Sequence, residues 1–297
     1  MKEIAVLGVP TNSAGTTDGV ARAPAALREV GLVEHLARVV PTSDEGDVTV
    51  PPPTSDRDPV SKVIDPVGLQ AMVVEVERRV ADVLATGRFP LVIGGDCPVL
   101  LGCLAAFGDP AERGLLFVDG HEDAYPPDRS TTGEAADMEL GFATGIVGTP
   151  WWPALAERSP LVHPERTWLL GPRDRADIVR YGAEPLSDRV ACDDAEAVAV
   201  DPIGVTEHAL AAVSESPWWF HVDLDVLSTE ALPAVDYPQP GGLRWEELDA
   251  ITTVALAAQP IGWDVTIYTP DLDPDRTHAE RIVRYLAEAV RSFRAAA

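Results

Sequence analysis

Short apolar runs recur along the chain, and segments with helical spacing lie between several of them. Runs of this length, bounded by glycine, proline and polar residues, are typical of buried strands. Buried strands that alternate with helices favour a parallel sheet. We therefore predict an α/β fold with strands over residues 4–9, 90–93, 115–118, 167–170, 219–222 and 261–267.

The clearest helical patterns lie in three segments. A loop rich in Gly, Ser and Thr separates the first strand from a predicted helix over residues 23–38. Apolar residues recur at helical spacing over residues 66–86, and Gly87 is a typical helix end. The last segment, residues 277–294, is amphipathic and predicts a helix that closes the fold.

Residues 41–59 do not fit either pattern. The segment contains many acids and three consecutive prolines, which neither a helix interior nor a central strand accepts. We interpret it as a surface excursion. The sequence shows no internal repeat, no low-complexity tract and no clear linker, so we expect one domain over residues 1–297.

The composition limits the classes of partner. Asp and Glu total 48 against 23 Lys and Arg, and the formal net charge is -25. Nucleic acids and anionic membranes attract positively charged proteins, so we expect neither; small molecules and other copies of the chain are the expected partners. The same excess of acids is also typical of a salt-adapted or simply soluble surface, and it identifies no substrate.

We expect neither a secretion signal nor a membrane span. The first residues lack the basic region, long apolar core and cleavage site of a secretion signal, and no run approaches the roughly 18 consecutive apolar residues of a membrane span. The three cysteines, Cys97, Cys103 and Cys192, are too few and too scattered for a disulfide framework. We therefore expect a soluble cytoplasmic protein with reduced thiols.

Acids and histidine follow two of the predicted strands. One strand leads into Asp119, His121 and Asp123, and another leads into Asp223 and Asp225. Alternate residues of an extended segment share a face, and ligand-binding groups collect at the carboxyl ends of parallel strands. Four converging carboxylates would repel one another strongly, whereas two divalent cations would neutralise them. The pattern therefore indicates a metal centre.

A third strand end adds a candidate ligand. Residues 90–93 lead into Gly94, Gly95, Asp96 and Cys97. The glycines permit close approach of another backbone, and a cysteine thiolate can bind metal.

These three segments resemble the GGDH, DxHxD and DxD signatures of the arginase, agmatinase and formiminoglutamase (ureohydrolase) superfamily, and the resemblance covers nearly the whole chain. It implies a three-layer α/β/α sandwich with a central, mostly parallel, eight-stranded sheet. It also implies two manganese ions at the strand ends, a small-molecule substrate and a homo-oligomer.

The resemblance implies a role for each motif residue. The six candidate ligands form two sets that share two bridging carboxylates: Asp119 and Asp223 as the bridges, Cys97 and Asp123 in one set, and His121 and Asp225 in the other. A hydroxide bridging the metals would attack the planar carbon of a guanidine or amidine and break a C–N bond. Asp123, as the proton shuttle, and His121 are the candidate catalytic residues.

The chain departs from the family pattern at one metal position. Cys97 stands where relatives usually have histidine, so the resemblance is that of a divergent member of the family. A thiolate is softer than imidazole and carries a negative charge, so zinc or iron become alternatives to manganese at this site. Some relatives that act on hydroxylated arginine carry the same exchange. A small buried thiol without a role is the alternative interpretation.

Two further departures concern the substrate. Ala136 stands where arginases have a proton-relay histidine, and Ile267 stands where they have the carboxylate that grips the guanidinium. An apolar side chain cannot neutralise a buried cation, so arginine is expected to be a poor substrate. Glu134 and Asp137 are candidate replacement carboxylates, although acids at the start of a helix are also common without a function.

Three functional hypotheses remain open. The first is an active binuclear hydrolase of a guanidino, amidino or related substrate, including a hydroxyarginine-like or non-guanidino compound. The second is a degenerate family member that binds metal or ligand without turnover. The third is a metal-free thiol hydrolase with Cys97 as nucleophile. It is ranked last because clustered carboxylates disfavour a thiolate.

His221 alternates with Asp223 and Asp225, but core packing is the favoured interpretation of this residue.

Overall fold

Eight parallel strands form the central sheet of the computed structural model, which describes residues 2–295. The strands are β1 (Ile4–Val9), β2 (Thr42–Asp47), β3 (Phe89–Gly94), β4 (Gly114–Val118), β5 (Thr167–Leu170), β6 (Ala191–Asp193), β7 (Trp218–Asp223) and β8 (Gly262–Thr266). Their order along the sheet is β2-β1-β3-β8-β7-β4-β5-β6. Because every neighbouring pair is parallel, all the carboxyl ends lie at one edge of the sheet.

Helices cover both faces of this sheet. They are α1 (Ala23–Glu29), α2 (Leu32–Ala37), α3 (Pro66–Ala85), α4 (Val99–Ala105), α5 (Glu139–Ala143), α6 (Pro153–Ala156), α7 (Arg175–Arg180), α8 (Ala195–Val200), α9 (Pro202–Val213), α10 (Trp245–Ala257) and α11 (Thr277–Ala295). Alternate strand residues enter different cores: Ile4 and Val6 pack with α1, α2 and α9–α11, whereas Leu7 and Val9 pack with α3–α5. The fold is the expected three-layer α/β/α sandwich, with an entirely parallel sheet.

The six predicted strands are confirmed, and the two that the sequence analysis missed are the edges of the sheet. The edge strand β2 lies inside residues 41–59, so the prediction of a surface excursion was wrong for Thr42–Asp47. Its residues are half-buried or exposed and mostly polar, because an edge strand needs little apolar surface. At the other edge, β6 has only three residues and leaves too short a pattern to detect.

The predicted helix over residues 23–38 is interrupted. Its first part ends at Glu29, and Gly31 adopts a left-handed conformation with φ 84° and ψ 34° before α2 begins. Glycine tolerates this conformation better than residues with a Cβ. The predicted helices at residues 66–86 and 277–294 correspond to α3 and α11.

Within residues 2–295, no helix is both long enough and apolar enough to cross a membrane.

Candidate metal centre

The three motif segments meet at the carboxyl edge of the sheet. The Cys97 thiol donates a hydrogen bond to Asp223 Oδ2 at 2.6 Å, which joins the end of β3 to the end of β7. His121 Nδ1 lies 2.9 Å from Asp225 Oδ2 and 3.6 Å from Asp119 Oδ1, which joins the end of β4 to the same place. Residues far apart in sequence therefore form one cluster.

Within the described residues, the candidate ligand atoms fall into three overlapping groups, each with all of its atoms within 4.8 Å of one another. The groups are Cys97, Asp119, Asp123 and Glu139; Asp119, His121 and Asp225; and Cys97, Asp119 and His221. Asp119 belongs to all three, which is the place expected of a bridging ligand. Asp223 reaches the first group through its contact with Cys97.

Backbone amides orient the carboxylates. The Asp119 carboxylate accepts a hydrogen bond from His121 N at 2.7 Å, and that of Asp223 accepts one from Asp225 N at 2.7 Å. The Asp225 carboxylate accepts from Gly120 N at 3.1 Å. A side chain at Gly120 would lie 2.9 Å from Asp225 O, so this approach of β4 to β7 requires glycine. These bonds fix the oxygens before any ligand arrives.

The strand-end glycine Gly95 allows the approach that the sequence analysis expected. A Cβ on Gly95 would lie 2.0 Å from Thr11 O, and Gly95 O accepts a hydrogen bond from Ile267 N at 2.9 Å. The loop after β1 and the segment after β8 therefore close on both sides of the residue that precedes Asp96 and Cys97. This packing fixes the backbone that leads into Asp96 and Cys97.

Burial and mutual repulsion disfavour the charged forms of several cluster groups. Burial, then the charge of Glu139, raises the pKa of Asp123 well above its usual range. The pKa of Asp223 is also raised well above its usual range, chiefly by burial and next by the charge of Asp225. The pKa of the Cys97 thiol is raised by burial and by the charge of Asp223. Divalent cations would reverse this penalty, because they neutralise converging anions. Asp119 Oδ2 is buried and lacks a hydrogen-bond partner in the described part of the chain, so the residues fit a metal centre.

His221 lies both in the core and beside the cluster. It is fully buried, stacks on Phe117 at a centroid distance of 4.4 Å, and Nδ1 donates to Asp264 Oδ2 at 2.6 Å. Its Nε2 lies 3.9 Å from Asp119 Oδ2. Burial alone would lower the pKa of His221, but Asp264 and Asp119 raise it to about 10. Core packing therefore describes only part of its environment, and its alternation with Asp223 was the available sequence signal.

Glu139 was not among the candidate residues predicted from the sequence. This residue is fully buried at the start of α5, yet it belongs to the same group as Cys97 and Asp123. It lies outside the three motifs, and a lone acid before an apolar segment is a common helix start. No sequence signal could have distinguished it.

A cavity of about 330 Å³ opens above the cluster. Its lining includes Cys97, His121, Asp123, Asp223 and Asp225, together with four more aspartates and three tyrosines: Asp137, Asp174, Asp177, Asp236, Tyr125, Tyr181 and Tyr237. No Lys or Arg is among these described lining residues. The cavity is therefore strongly anionic apart from its aromatic surface.

The substrate candidates have different positions. Asp137 lines the cavity, and its carboxylate accepts hydrogen bonds from Ser130 and Thr132 at 2.6 Å each. Glu134 is not among the described lining residues and accepts from Tyr237 at 2.7 Å. Burial raises the pKa of Glu134 to about 7.

The two positions that depart from the family pattern also line the cavity. Ala136 and Ile267 both contribute to its wall. Ile267 has φ 62°, a conformation that β-branched residues rarely adopt and that is often found at functional sites.

Comparisons with known proteins agree with the geometry. The sequence model of the arginase family matches residues 2–291. The arginase of Bacillus caldovelox is 29% identical over 88% of this chain and 88% of that protein. Its solved structure has a TM-score of 0.85, with 26% identity over 99% of this chain and 98% of that chain. The N(omega)-hydroxy-L-arginine amidinohydrolase of Streptomyces lavendulae is 27% identical over 95% of this chain and 92% of that protein. With the family's sequence signature over nearly its full length and the fold of a solved arginase, the chain belongs to the arginase family.

Proposed function

We propose that the protein is a binuclear metal-dependent hydrolase that cleaves a C–N bond in a guanidino or amidino cation. The observation that carries the proposal is the position of Asp119, whose oxygens lie within 4.8 Å of ligand atoms in two separate donor groups. One group contains Cys97 and Asp123, and the other contains His121 and Asp225. A shared carboxylate between two donor groups is the arrangement that holds a pair of cations.

Each ion has its own donors in this proposal. Cys97 and Asp123 would hold one ion, His121 and Asp225 would hold the other, and Asp119 and Asp223 would contribute to both. Manganese suits the carboxylate and imidazole donors, whereas the sulfur of Cys97 favours zinc or iron at its site. The short contact between Cys97 and Asp223 supports this assignment because it brings the sulfur to a shared carboxylate.

The chain's own groups then place and protonate the substrate. When bound, the metal pair supplies a water nucleophile at neutral pH and offsets the charge of the carboxylates. Asp123 is the group positioned for proton transfer, because it lines the cavity and is 8% exposed. Its carboxylate would carry a proton to the leaving nitrogen, so that a neutral amine departs rather than an amide anion.

The cavity wall favours a cationic substrate without a carboxylate. Asp137, Asp174, Asp177 and Asp236 would attract a cation and repel an anion, and the described lining contains no Lys or Arg to bind a carboxylate. Ile267 adds an apolar surface where a guanidinium-binding carboxylate would otherwise stand. Arginine, which carries its own carboxylate, is therefore a poor substrate in this proposal.

A screen of guanidino and amidino compounds tests the function. The protein is loaded with manganese, zinc or iron, and release of urea, ammonia and amine is measured for compounds with and without a carboxylate. We expect agmatine to exceed arginine at least tenfold in kcat/KM, a difference of about 1.4 kcal/mol. Asp123→Asn is the control that keeps the fold and loses turnover. Two bound ions without release from any compound would contradict the proposal and favour a degenerate, ligand-binding family member.

A further inference from the structure

Glu139 lies within the ligand cluster although it belongs to none of the three motifs. It is the first residue of α5, and its side chain is fully buried. A carboxylate oxygen of Glu139 lies within 4.8 Å of the Cys97 sulfur and of oxygens from Asp119 and Asp123. That distance allows one ion to contact all four groups.

The Glu139 carboxylate has no partner that satisfies it. Neither of its oxygens has a hydrogen-bond partner among the described residues. The neighbouring groups Asp119 and Asp123 are also acids, so one of them donates a hydrogen bond to Glu139 only while it keeps its own proton. A buried charged group in this state is strongly unfavourable unless a cation or a donor completes it. The cluster therefore needs a positive charge at this point.

Glu139 is shielded from the substrate cavity. Cys97 and Asp123 line that cavity, whereas Glu139 is not among its described lining residues. Glu139 is therefore close enough to contact an ion between Cys97 and Asp123, but it does not face the substrate cavity. This placement favours a metal ligand over a group that exchanges protons with the substrate.

The backbone holds Glu139 and Asp123 in a fixed relation. Gly141 N donates a hydrogen bond to Asp123 O at 3.1 Å, so the first turn of α5 is tied to the ligand loop. A Cβ on Gly141 would lie 2.6 Å from a Val147 methyl carbon and 3.0 Å from the Ala124 Cα, which shows how closely the segments pack. The Glu139 backbone is therefore held beside the loop that carries Asp123.

We propose that Glu139 is a ligand of the ion held by Cys97 and Asp123. This inference rests on the metal-binding part of the proposed function. Compared with a site that has a neutral imidazole at position 97, this site has two additional negative charges, one on the thiolate and one on Glu139. The added anionic donors strengthen binding of a divalent cation, and the sulfur makes cadmium a suitable probe.

Cadmium titration of the metal-free protein measures this site directly. Calorimetry gives the number of ions bound, and the ultraviolet absorption of a thiolate–cadmium bond reports the ion at Cys97. We expect two ions in the wild type. In Glu139→Gln, the ion that produces the thiolate absorption should bind at least tenfold more weakly, while the second ion is retained.

Glu122→Gln is the matched control. Glu122 is also buried and lies between His121 and Asp123 in sequence, but Ser187 donates to both of its oxygens at 3.0 and 2.7 Å. The same chemical change at this position should leave cadmium affinity at Cys97 as in the wild type. A comparable loss in both variants would show a general effect of removing a buried carboxylate and would overturn the ligand assignment.

Thermal unfolding separates binding from folding. Without metal, Glu139→Gln and Glu139→Leu should unfold at or above the wild-type temperature, because each removes an unsatisfied buried carboxylate. Cadmium should raise the unfolding temperature of both variants less than that of the wild type.

Unchanged cadmium affinity in both variants would overturn the inference while leaving the two-ion centre in place. A clear Glu139 effect with no turnover in the substrate screen would instead overturn the hydrolase function alone. A wild type that binds no cadmium would overturn both.

Discussion

At the residue scale, Cys97 is surrounded by acids. Its thiol donates to Asp223, and the carboxylates of Asp119, Asp123 and Glu139 lie close by. Burial and these negative charges raise the pKa of the thiol, so without metal it stays protonated and is a poor nucleophile. The environment therefore favours a metal ligand over the metal-free thiol hydrolase.

Substitution of Cys97 distinguishes its three possible roles. As a ligand, Cys97→Ala should lose the ion shared with Asp123, and Cys97→His should keep two ions with a stronger preference for manganese. Metal stoichiometry and alkylation rate are measured on the metal-loaded proteins. A nucleophile would be alkylated rapidly, and a packing thiol would change no stoichiometry in either variant.

Asp174 provides a pH-dependent test of the cavity wall. It is 3% exposed, its Oδ1 lacks a partner among the described residues, and Glu122 N lies 3.4 Å from Oδ2. Burial, opposed by the positive charge of His121, raises its pKa from 3.8 to about 7. The unfolded chain therefore releases this proton near pH 4, whereas the folded protein keeps it until about pH 7. Asp174 thus lowers stability as pH rises across that window.

Asp174→Asn should remove this pH-dependent loss. We expect the free energy of unfolding of the metal-free variant to exceed that of the wild type at pH 8. The upper limit is about 4 kcal/mol, since one pKa unit corresponds to about 1.4 kcal/mol. The difference should vanish below pH 4, where both states are protonated. Urea unfolding over a pH series measures it, and a pH-independent difference would contradict the assignment.

At the element scale, the pairing of β7 with β8 supports the floor of the site. Trp219 lies opposite Gly262 in the register, and its Nε1 donates to Asp264 Oδ1 at 2.5 Å. The other oxygen of Asp264 accepts from His221, which lies beneath Asp119. Movement of the Trp219 ring would therefore displace the support of the cluster.

A methyl group at Gly262 tests this support. A Cβ there would lie 2.1 Å from Trp219 Cζ3, so Gly262→Ala forces the ring to move. We expect a loss of about 1–3 kcal/mol in the free energy of unfolding, as for other overpacked cores. Gly148→Ala is the control, because nothing lies within 4 Å of a Cβ at that position. Equal effects of the two substitutions in urea unfolding would show that the strand pair tolerates the methyl group.

At the scale of the whole molecule, the candidate metal centre joins segments that are far apart in the chain. Cys97 and Asp223 are 126 positions apart in sequence and meet at 2.6 Å. Cations that bind only the folded arrangement stabilise it by mass action, by about 2.7 kcal/mol at a free concentration one hundred times Kd. Metal loading is therefore expected to raise the unfolding temperature, and a chelator to lower it.

The size of this stabilisation distinguishes shared from single-site ligands. Asp119→Ala should lose both ions and the whole metal-dependent rise in unfolding temperature, because Asp119 belongs to every candidate ligand group. Asp225→Ala should lose one ion and only part of the rise. Elemental analysis and thermal unfolding measure the two effects together. Identical losses in the two variants would contradict the bridging role of Asp119.

The central strands, the three motifs and the family could be predicted from the sequence. Strands such as β1 and β4 are buried on both faces, so their apolar pattern is strong and local. The motifs repeat metal-ligating residue types at strand ends, where a parallel sheet brings them together. The single domain, the cytoplasmic location and the homo-oligomer remain predictions.

Only the tertiary structure decided the edge strands, which other side chains lie beside the motif residues, and the chemistry of the cavity. An edge strand such as β2 pairs through its backbone, which leaves little trace in side-chain pattern. Glu139 and His221 approach Asp119 from α5 and β7 because helix packing and strand register place them there. No local sequence pattern records such contacts. The sequence alone therefore determined which residue types end the central strands, and packing over long sequence distances determined which other side chains join them.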